Sequence, residues 1–381
     1  MMKFGMFLEL QMPKPWRANA EYDTFWGAIE QVVYGEEVGF EHVWMVEHHF
    51  MSEFSHSSAS EVTLAAIAQR TSTIRLGFGV VLAPVHHPIH VAVRAATLDI
   101  LSNGRVDVGV GRSKSPYQIT PFGISIDDAQ GLMLETLECL PGMWTQDVFS
   151  HKGKHWTISP REIIPRPLQK PHPPLWMACT QEDTFRTAAE LGLGWLVNTL
   201  GGPEKIGKLI NTYRGGLEMA KPVGHFINNK IVASTIGFCD ENDSKAREKG
   251  AAVADWYLSN ARQRLALEWA GVDRDLVPRD YKFYQEGGAH KLDPQMTAPP
   301  TPEQLLAGGG YCVGDPDACI RVIEEFEAMG VDEVMPIFQA GYATQADVMN
   351  SIRLFGKYVI PHFQEKEKRR QTLVAQPTGD A

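Results

Sequence analysis

Eight short apolar runs, each followed by a stretch of helical period, recur along this chain of 381 residues. Sustained β-then-α alternation places the strands parallel in one sheet, because each helix must carry the chain back across it. The strands are expected at 3–8, 41–46, 75–82, 105–110, 175–179, 195–198, 231–238 and 333–338. Helices are expected at 22–38, 60–70, 88–101, 127–144, 183–191, 203–219, 243–261, 316–329 and 345–358. Gly39 stops the first, Pro88 opens the third at a position where a missing N–H costs nothing, and Asn103-Gly104 closes it. Count and length fit a closed (β/α)8 TIM barrel better than an open doubly wound sheet.

Two stretches break the rhythm. Residues 145–173 carry Pro160, Pro165, Pro167, Pro171 and Pro173 and read as an extended excursion. Residues 265–310 carry Gly287-Gly288 and Pro299-Pro300, and a stretch that long inside a compact domain reads as a lid over the catalytic face. One barrel domain over 1–363 with these two insertions follows, ending in a polar tail over 364–381 that reads as a frayed, disordered end.

The formal charge of −10 argues against nucleic acid and anionic membranes as partners, since both demand basic patches that displace counterions. The densest basic run, Lys366 to Arg370, lies in the tail. No secretory signal and no apolar run long enough to span a bilayer is found, so a cytoplasmic protein is expected. Five widely spaced cysteines without a C-x-x-C pair read as reduced core thiols rather than a zinc or redox site.

Chemistry in such a barrel belongs at the carboxyl ends of the strands. The second strand delivers Glu47, His48 and His49 there. Alone, this triplet fits one packed and one solvated imidazole as well as a catalytic group. The fourth strand ends in Gly109-Val110-Gly111-Arg112, which lacks the third glycine of a dinucleotide fingerprint. Its glycines permit close backbone approach, and Arg112 is a forked donor for an anion. After the fifth strand, Cys179-Thr180 leads through Thr184 into a helix; the threonines read either as a helix cap or as hydroxyls of a phosphate cradle. His86, His87 and His90 cluster after the third strand, but no carboxylate is spaced with them for zinc. Neither a G-x-S-x-G elbow nor a Walker A sequence occurs.

Taken together, Met2-Lys3-Phe4-Gly5, Gly39 to Trp44 with Glu47-His48-His49-Phe50, Ser52-Glu53-Phe54, Leu98-Asp99 with Ser102 to Arg105, Gly111-Arg112, Trp195 with Asn198-Thr199, and Met335 to Pro361 resemble the α subunit of bacterial luciferase. The resemblance spans nearly the whole chain and implies a luciferase-like, flavin-dependent monooxygenase. It implies that His48 is the catalytic histidine beside the flavin, that Arg112, Thr180 and Thr184 hold the FMN phosphate, and that Gly79-Val80 forms a cis peptide against the isoalloxazine. It places Trp195 in the flavin pocket wall and Gly111 and Cys179 in the phosphate turn. The phosphate would then sit at the fourth and fifth strand ends, whereas barrels usually hold it after the last strands.

Three positions depart from luciferase: Gly111 replaces a cysteine, Cys179 an acidic residue and Gln339 a glutamate. They bear on light emission and leave the anion grip intact. The implied activity is FMNH2-dependent oxygenation of a small hydrophobic substrate by O2, with reduced FMN supplied by a separate NAD(P)H:flavin reductase, since no second nucleotide motif is present. His48 would transfer the proton, with Glu47 and His49 orienting it. Phe7, Phe50, Phe54, Tyr117, Trp195 and Phe338 are candidates for an apolar cavity, and the resemblance implies a homodimer. A deazaflavin (F420) oxidoreductase and a non-catalytic flavin-binding protein are the alternatives; aldehyde, ketone and electron-rich ring all remain open as substrate.

Overall fold

The computed structural model describes residues 1–180, 182–198, 203–270, 277, 281–285, 302–307 and 310–375. In it β1 (Lys3–Leu8), β2 (His42–Met45), β3 (Arg75–Leu82) and β4 (Val106–Gly111) pair in parallel and in sequence. An antiparallel hairpin of β5 (Phe149–Lys152) and β6 (Thr157–Arg161) intervenes. The sheet resumes with β7 (Leu175–Cys179), β8 (Gly194–Asn198) and β9 (Ile231–Cys239). A short β10 (Cys312–Gly314) adds to the distal end of β9, and β11 (Glu333–Ile337) pairs with both β9 and β1. The eight strands β1-β2-β3-β4-β7-β8-β9-β11 thus close into a parallel barrel.

Around it lie α1 (Ala20–Val38), α2 (Ser60–Ala68), α3 (Pro88–Leu101), α4 (Ala129–Thr145), α5 (Glu182–Glu190), α6 (Pro203–Leu217), α7 (Asp243–Glu268), the short α8 (Lys282–Gln285) and α9 (Pro302–Ala307), α10 (Pro316–Met329), α11 (Gln345–Leu354) and α12 (Ile360–Ala375). Their ends follow local chemistry. The His87 imidazole accepts from Ile89 N–H at 3.2 Å ahead of Pro88, Asp315 accepts from Ala318 N–H at 2.8 Å, and Thr344 with Asp347 forms a reciprocal capping box. Gly39 (φ 106°) and Gly330 (φ 90°) end α1 and α10 in the left-handed region, where glycine meets no Cβ penalty.

The eight barrel strands fall where the alternation places them, within two residues at each end. The excursion forms the β5–β6 hairpin. β10 has only three residues, too few to carry a period. Contrary to the expected frayed end, α12 carries order through 364–375. Phe363 is buried against Phe4 with ring centroids 5.6 Å apart, and Lys366 bridges Glu324 and Glu327 at 3.2 and 2.7 Å, so the tail's first turns are anchored to the body. Gly287-Gly288 and Pro299-Pro300 of the expected lid lie outside the described residues.

Two indoles and a polar network fill the middle of the barrel. Trp44 and Trp176 meet edge to face with centroids 5.2 Å apart; Trp44 donates to Glu333 at 2.8 Å and Trp176 to Asp107 at 3.0 Å. His42 Nδ1 lies 2.9 Å from Glu333, and Arg75 holds Asp107 at 2.6 Å. Burial alone would lower the His42 pKa, but the charge and hydrogen bond of Glu333, with Asp107 behind it, raise it above its ordinary value. Space for the Trp44 ring comes from glycines: a Cβ on Gly77 would overlap the ring, and one on Gly5 would meet the Glu333 carboxylate. Gly77→Val should therefore lower stability by about 2–3 kcal/mol in urea denaturation, through overpacking. Trp44→Phe in the same chain should recover part of the loss, since it removes the ring that the new methyls strike.

Candidate active site

A cleft of about 970 Å³, counting its open mouth, lies at the carboxyl end of the barrel. His48, Gly79, Val80, Gly111, Arg112, Cys179, Thr180 and Thr184 all line it. Residues separated by more than 130 positions are brought together because each follows or ends a barrel strand. Leu10 (φ 54°), Phe50 (φ 64°) and Ser113 (φ 84°), three of the four non-glycine residues at positive φ among those described, sit in the loops after β1, β2 and β4. Such conformations cluster where a loop is held for function rather than by preference.

The Gly79–Val80 peptide is cis, as the sequence implies. Gly111 passes directly beneath the Val80 side chain, and any Cβ there would strike Val80 Cγ2, so the cleft wall made by these residues is closely packed. Two strands round from His48, Arg112 brings a guanidinium to the cleft. Its Cζ stacks 4.2 Å from the ring centroid of Tyr281, which holds the planar fork flat. Tyr281, Trp269 and Val277 pack on Leu82, Ile119 and Ala129, so the second insertion is in contact with the cleft's rim. Cys179 is buried behind Thr180; its thiol lies 3.3 Å from the Thr184 carbonyl oxygen, and burial pushes its pKa well up, so it is an inert thiol.

His48 is half-buried in the cleft wall, its backbone N–H donating to the Ser57 carbonyl at 2.8 Å. Nδ1 lies 3.0 Å from Gln118 Oε1, which orients the ring; with that oxygen as its partner the ring carries its proton on Nδ1 and Nε2 is the acceptor. Burial first, then the charge of Lys114, lower its pKa to about 4, and the Gln118 bond and Glu47 offset only part of this. His48 is therefore neutral through the physiological range.

The expected orienting pair differs. Glu47 does not bond His48; its Oε1 takes His49 Nε2 and His86 Nε2, both at 2.7 Å, and its Oε2 accepts the Leu82 N–H at 2.8 Å. These donors overcome burial and bring its pKa down to about 2. Glu47 thus ties the β2 loop to the β3 loop, and Gln118 is what orients His48. Sequence reading missed Gln118 because it lies in a short 3₁₀ turn with no motif around it. Glu9, at the end of β1, was missed too: it lines the cleft with its pKa raised by burial to about 7.

Trp195 is a correction. Leu196 faces the barrel interior and lines the cleft, so its neighbour Trp195 points the other way and is fully buried between Phe185 and Tyr213, at centroid distances of 4.3 and 5.7 Å. The one-residue alternation of a strand decides this. Of the six aromatic cavity candidates only Phe7 lines the cleft; Phe54 lies behind His48, Phe338 is core beside Phe40 and Phe355, and Phe50 and Tyr117 are exposed at the rim. Thr199 lies outside the described residues. No group of three or more metal-binding side chains is found among the described residues, and no helix among them is long and apolar enough to cross a membrane.

A model of the luciferase-like monooxygenase family matches residues 2–333. The chain belongs to that family. It is accordingly an oxidoreductase of the monooxygenase class with the family's TIM-barrel fold. It is 24% identical to the oxygenase component of the flavin-dependent trigonelline monooxygenase of Acinetobacter baylyi, over 98% of this chain and 99% of that one. The monooxygenase RslO1 of Streptomyces bottropensis superposes with a TM-score of 0.77 at 26% identity, covering 95% of this chain and all of its own. The oxygenating constituent of 3,6-diketocamphane monooxygenase from Pseudomonas putida, solved in complex with FMN, gives 0.73 at 20% identity over 94% and 98%.

Two of the titratable cleft groups, Glu9 and His48, carry opposite signs. Glu9, raised from 4.5 to about 7, favours the folded state below pH 4.5 and loses that contribution as pH rises through 7. His48, lowered from 6.5 to about 4, costs stability as pH falls between those values. Glu9→Gln should therefore gain about 2–3 kcal/mol relative to the parent between pH 5 and pH 8 in denaturant titrations, since each tenfold change in proton affinity is worth roughly 1.4 kcal/mol. The His48 ring should titrate near 4 by NMR; a midpoint near 6.5 contradicts the assignment.

Proposed function

We propose that this protein is the oxygenase component of a two-component system that uses reduced FMN and O2 to oxygenate a small, largely apolar organic substrate. The observation that carries the reading is the pairing, in one cleft, of a neutral histidine held by Gln118 with a guanidinium and two threonine residues. FMN fits that donor set: Arg112, Thr180 and Thr184 would take its phosphate, and the wall of Gly79, Val80 and Gly111 offers a flat surface for the ring. Bound reduced FMN would supply the electrons that activate oxygen.

The protein's own part is threefold. Arg112, kept planar by Tyr281, orients the anion. His48 offers an unprotonated Nε2 at a fixed place, so it can take or share a proton without first losing one. Phe7, Val46, Leu82, Met177 and Met335 surround this with apolar surface that excludes water, and the second insertion, through Tyr281, would close over it. A separate reductase as flavin source is supported by the relative that is itself named an oxygenase component.

FMN should bind the purified protein, and Arg112→Ala should weaken that binding about 10- to 100-fold, the worth of a charge-assisted hydrogen bond. When protein loaded with reduced FMN meets oxygenated buffer, hydrogen peroxide should appear at least about tenfold more slowly than from free reduced FMN. His48→Ala should speed its release. Failure to bind FMN, binding of F420 in its place, or peroxide release as fast as from free flavin would overturn the reading.

A further inference from the structure

The cleft contains a second carboxyl that the reading above leaves unused. Glu9 is only 3% exposed, yet its side chain lines the cleft. Its Oε1 accepts from the Tyr257 hydroxyl at 3.1 Å and its Oε2 from Gln11 Nε2 at 2.8 Å. The Gln11 donor is held from behind. Gln11 Oε1 accepts the Gly341 N–H at 2.8 Å, and the Gln11 backbone exchanges two hydrogen bonds with the Gln339 amide at 3.1 and 2.7 Å. Leu10, between them, is fixed in the left-handed region at φ 54°. Glu9 is thus placed by a rigid turn and is not a surface acid that has folded inward.

Among the described residues no cation stands within ion-pair distance of Glu9. Each of its oxygens accepts a protein hydrogen bond from a neutral donor, and the carboxyl also lines the cleft. Lys114, in the loop after β4, lines the same cleft, and its charge is felt at both Glu9 and His48. Around the barrel β1 stands four strands from β7, so Glu9 occupies the wall farthest from Thr180. Glu9 and Lys114 share this cleft with His48 and Ser234, and apolar side chains such as Phe7, Val46 and Met335 line it between them.

We propose that Glu9 is the substrate-side proton acceptor and that the substrate is an aromatic compound bearing a hydroxyl group. The O–H bond breaks, the proton passes to the Glu9 carboxylate, the electron pair remains on the phenolate oxygen, and the Lys114 ammonium faces the new charge. The step consumes no electrons and needs no further reactant. The burial that raises Glu9 to about 7 brings it into the range where it can exchange a proton with an acidic phenol. The proposal rests on the reading that the opposite wall holds the cofactor phosphate.

The test uses 4-nitrophenol, whose absorption separates phenol from phenolate, and nitrobenzene, which lacks the hydroxyl. With FMN-loaded protein, 4-nitrophenol should bind at least about tenfold more tightly than nitrobenzene and mainly as phenolate, read by difference spectra and calorimetry. Glu9→Gln should keep FMN affinity but bind 4-nitrophenol as the neutral phenol, with the preference reduced to about threefold or less. Lys114→Met should also lower the phenolate fraction, and it serves as the second variant if Glu9→Gln fails to fold. A merely structural Glu9 would not change the ionisation of a bound probe. No binding of 4-nitrophenol, equal affinity for both compounds, or an unchanged phenolate fraction in both variants overturns the proposal. A protein that binds no FMN overturns the cofactor reading instead, and the two-compound comparison can then be made on flavin-free protein.

Discussion

The architecture depends on how the barrel interior is filled. Eight parallel strands enclose a volume that must hold side chains rather than solvent. Here Trp44 supplies much of that volume, with zero exposure, and the strands on either side give way to it at Gly5 and Gly77. The indole N–H would be an orphan in such a place. Glu333 accepts it, and the same carboxylate takes His42 Nδ1, so β2 and β11 are joined across β1 by one buried acid. The middle of the barrel is therefore filled, and this plug separates the cleft at the carboxyl end from a second pocket at the amino-terminal mouth, lined by His42, Arg75 and Asp107.

Above the plug, two carboxylates one strand apart are driven in opposite directions by their surroundings. Glu47 receives three donors, two of them imidazoles, and is a fixed anion that pins loops together. Glu9 receives two neutral donors with no counterion, and burial governs it. His48 lies between these regimes: it shares its loop with Glu47 but takes its orientation from Gln118 and its neutrality from burial. Residue type alone assigns none of these roles; partner and burial do.

Much of this was legible in the sequence, for identifiable reasons. The barrel strands declared themselves because a strand buried on both faces reads as an unbroken apolar run between helical periods. Gly111, Arg112 and Thr180 could be placed together because they end or follow strands, and in a barrel all strand ends meet; Gly79 and Thr184 were placed with them by the resemblance. What could not be read was any choice that turns on one residue of register or on a partner far along the chain. Trp195 and Leu196 differ by one position and point to opposite sides of the wall. The Gln118 amide reaches His48 across seventy positions from a three-residue turn. Glu9 is an ordinary acid until Tyr257, 248 residues later, encloses it. The tail misled for a related reason: its polar composition hides the contacts of Phe363 and Lys366 that anchor the last helix.

The same dependence on distant partners links the cleft to the second insertion. Ile119 is fully buried under Trp269, Val277 and Tyr281, and it directly follows Gln118. Tyr281 stacks on Arg112. One short region of chain therefore bears at once on the residue that orients the histidine and on the residue that presents the guanidinium. Packed interiors transmit displacement because they have little free volume to absorb it. A shift of the Tyr281 segment away from the rim would remove the ring against which Arg112 lies flat and unload the turn that carries Gln118. The placing of Gln118 and of Arg112 would then loosen together rather than separately.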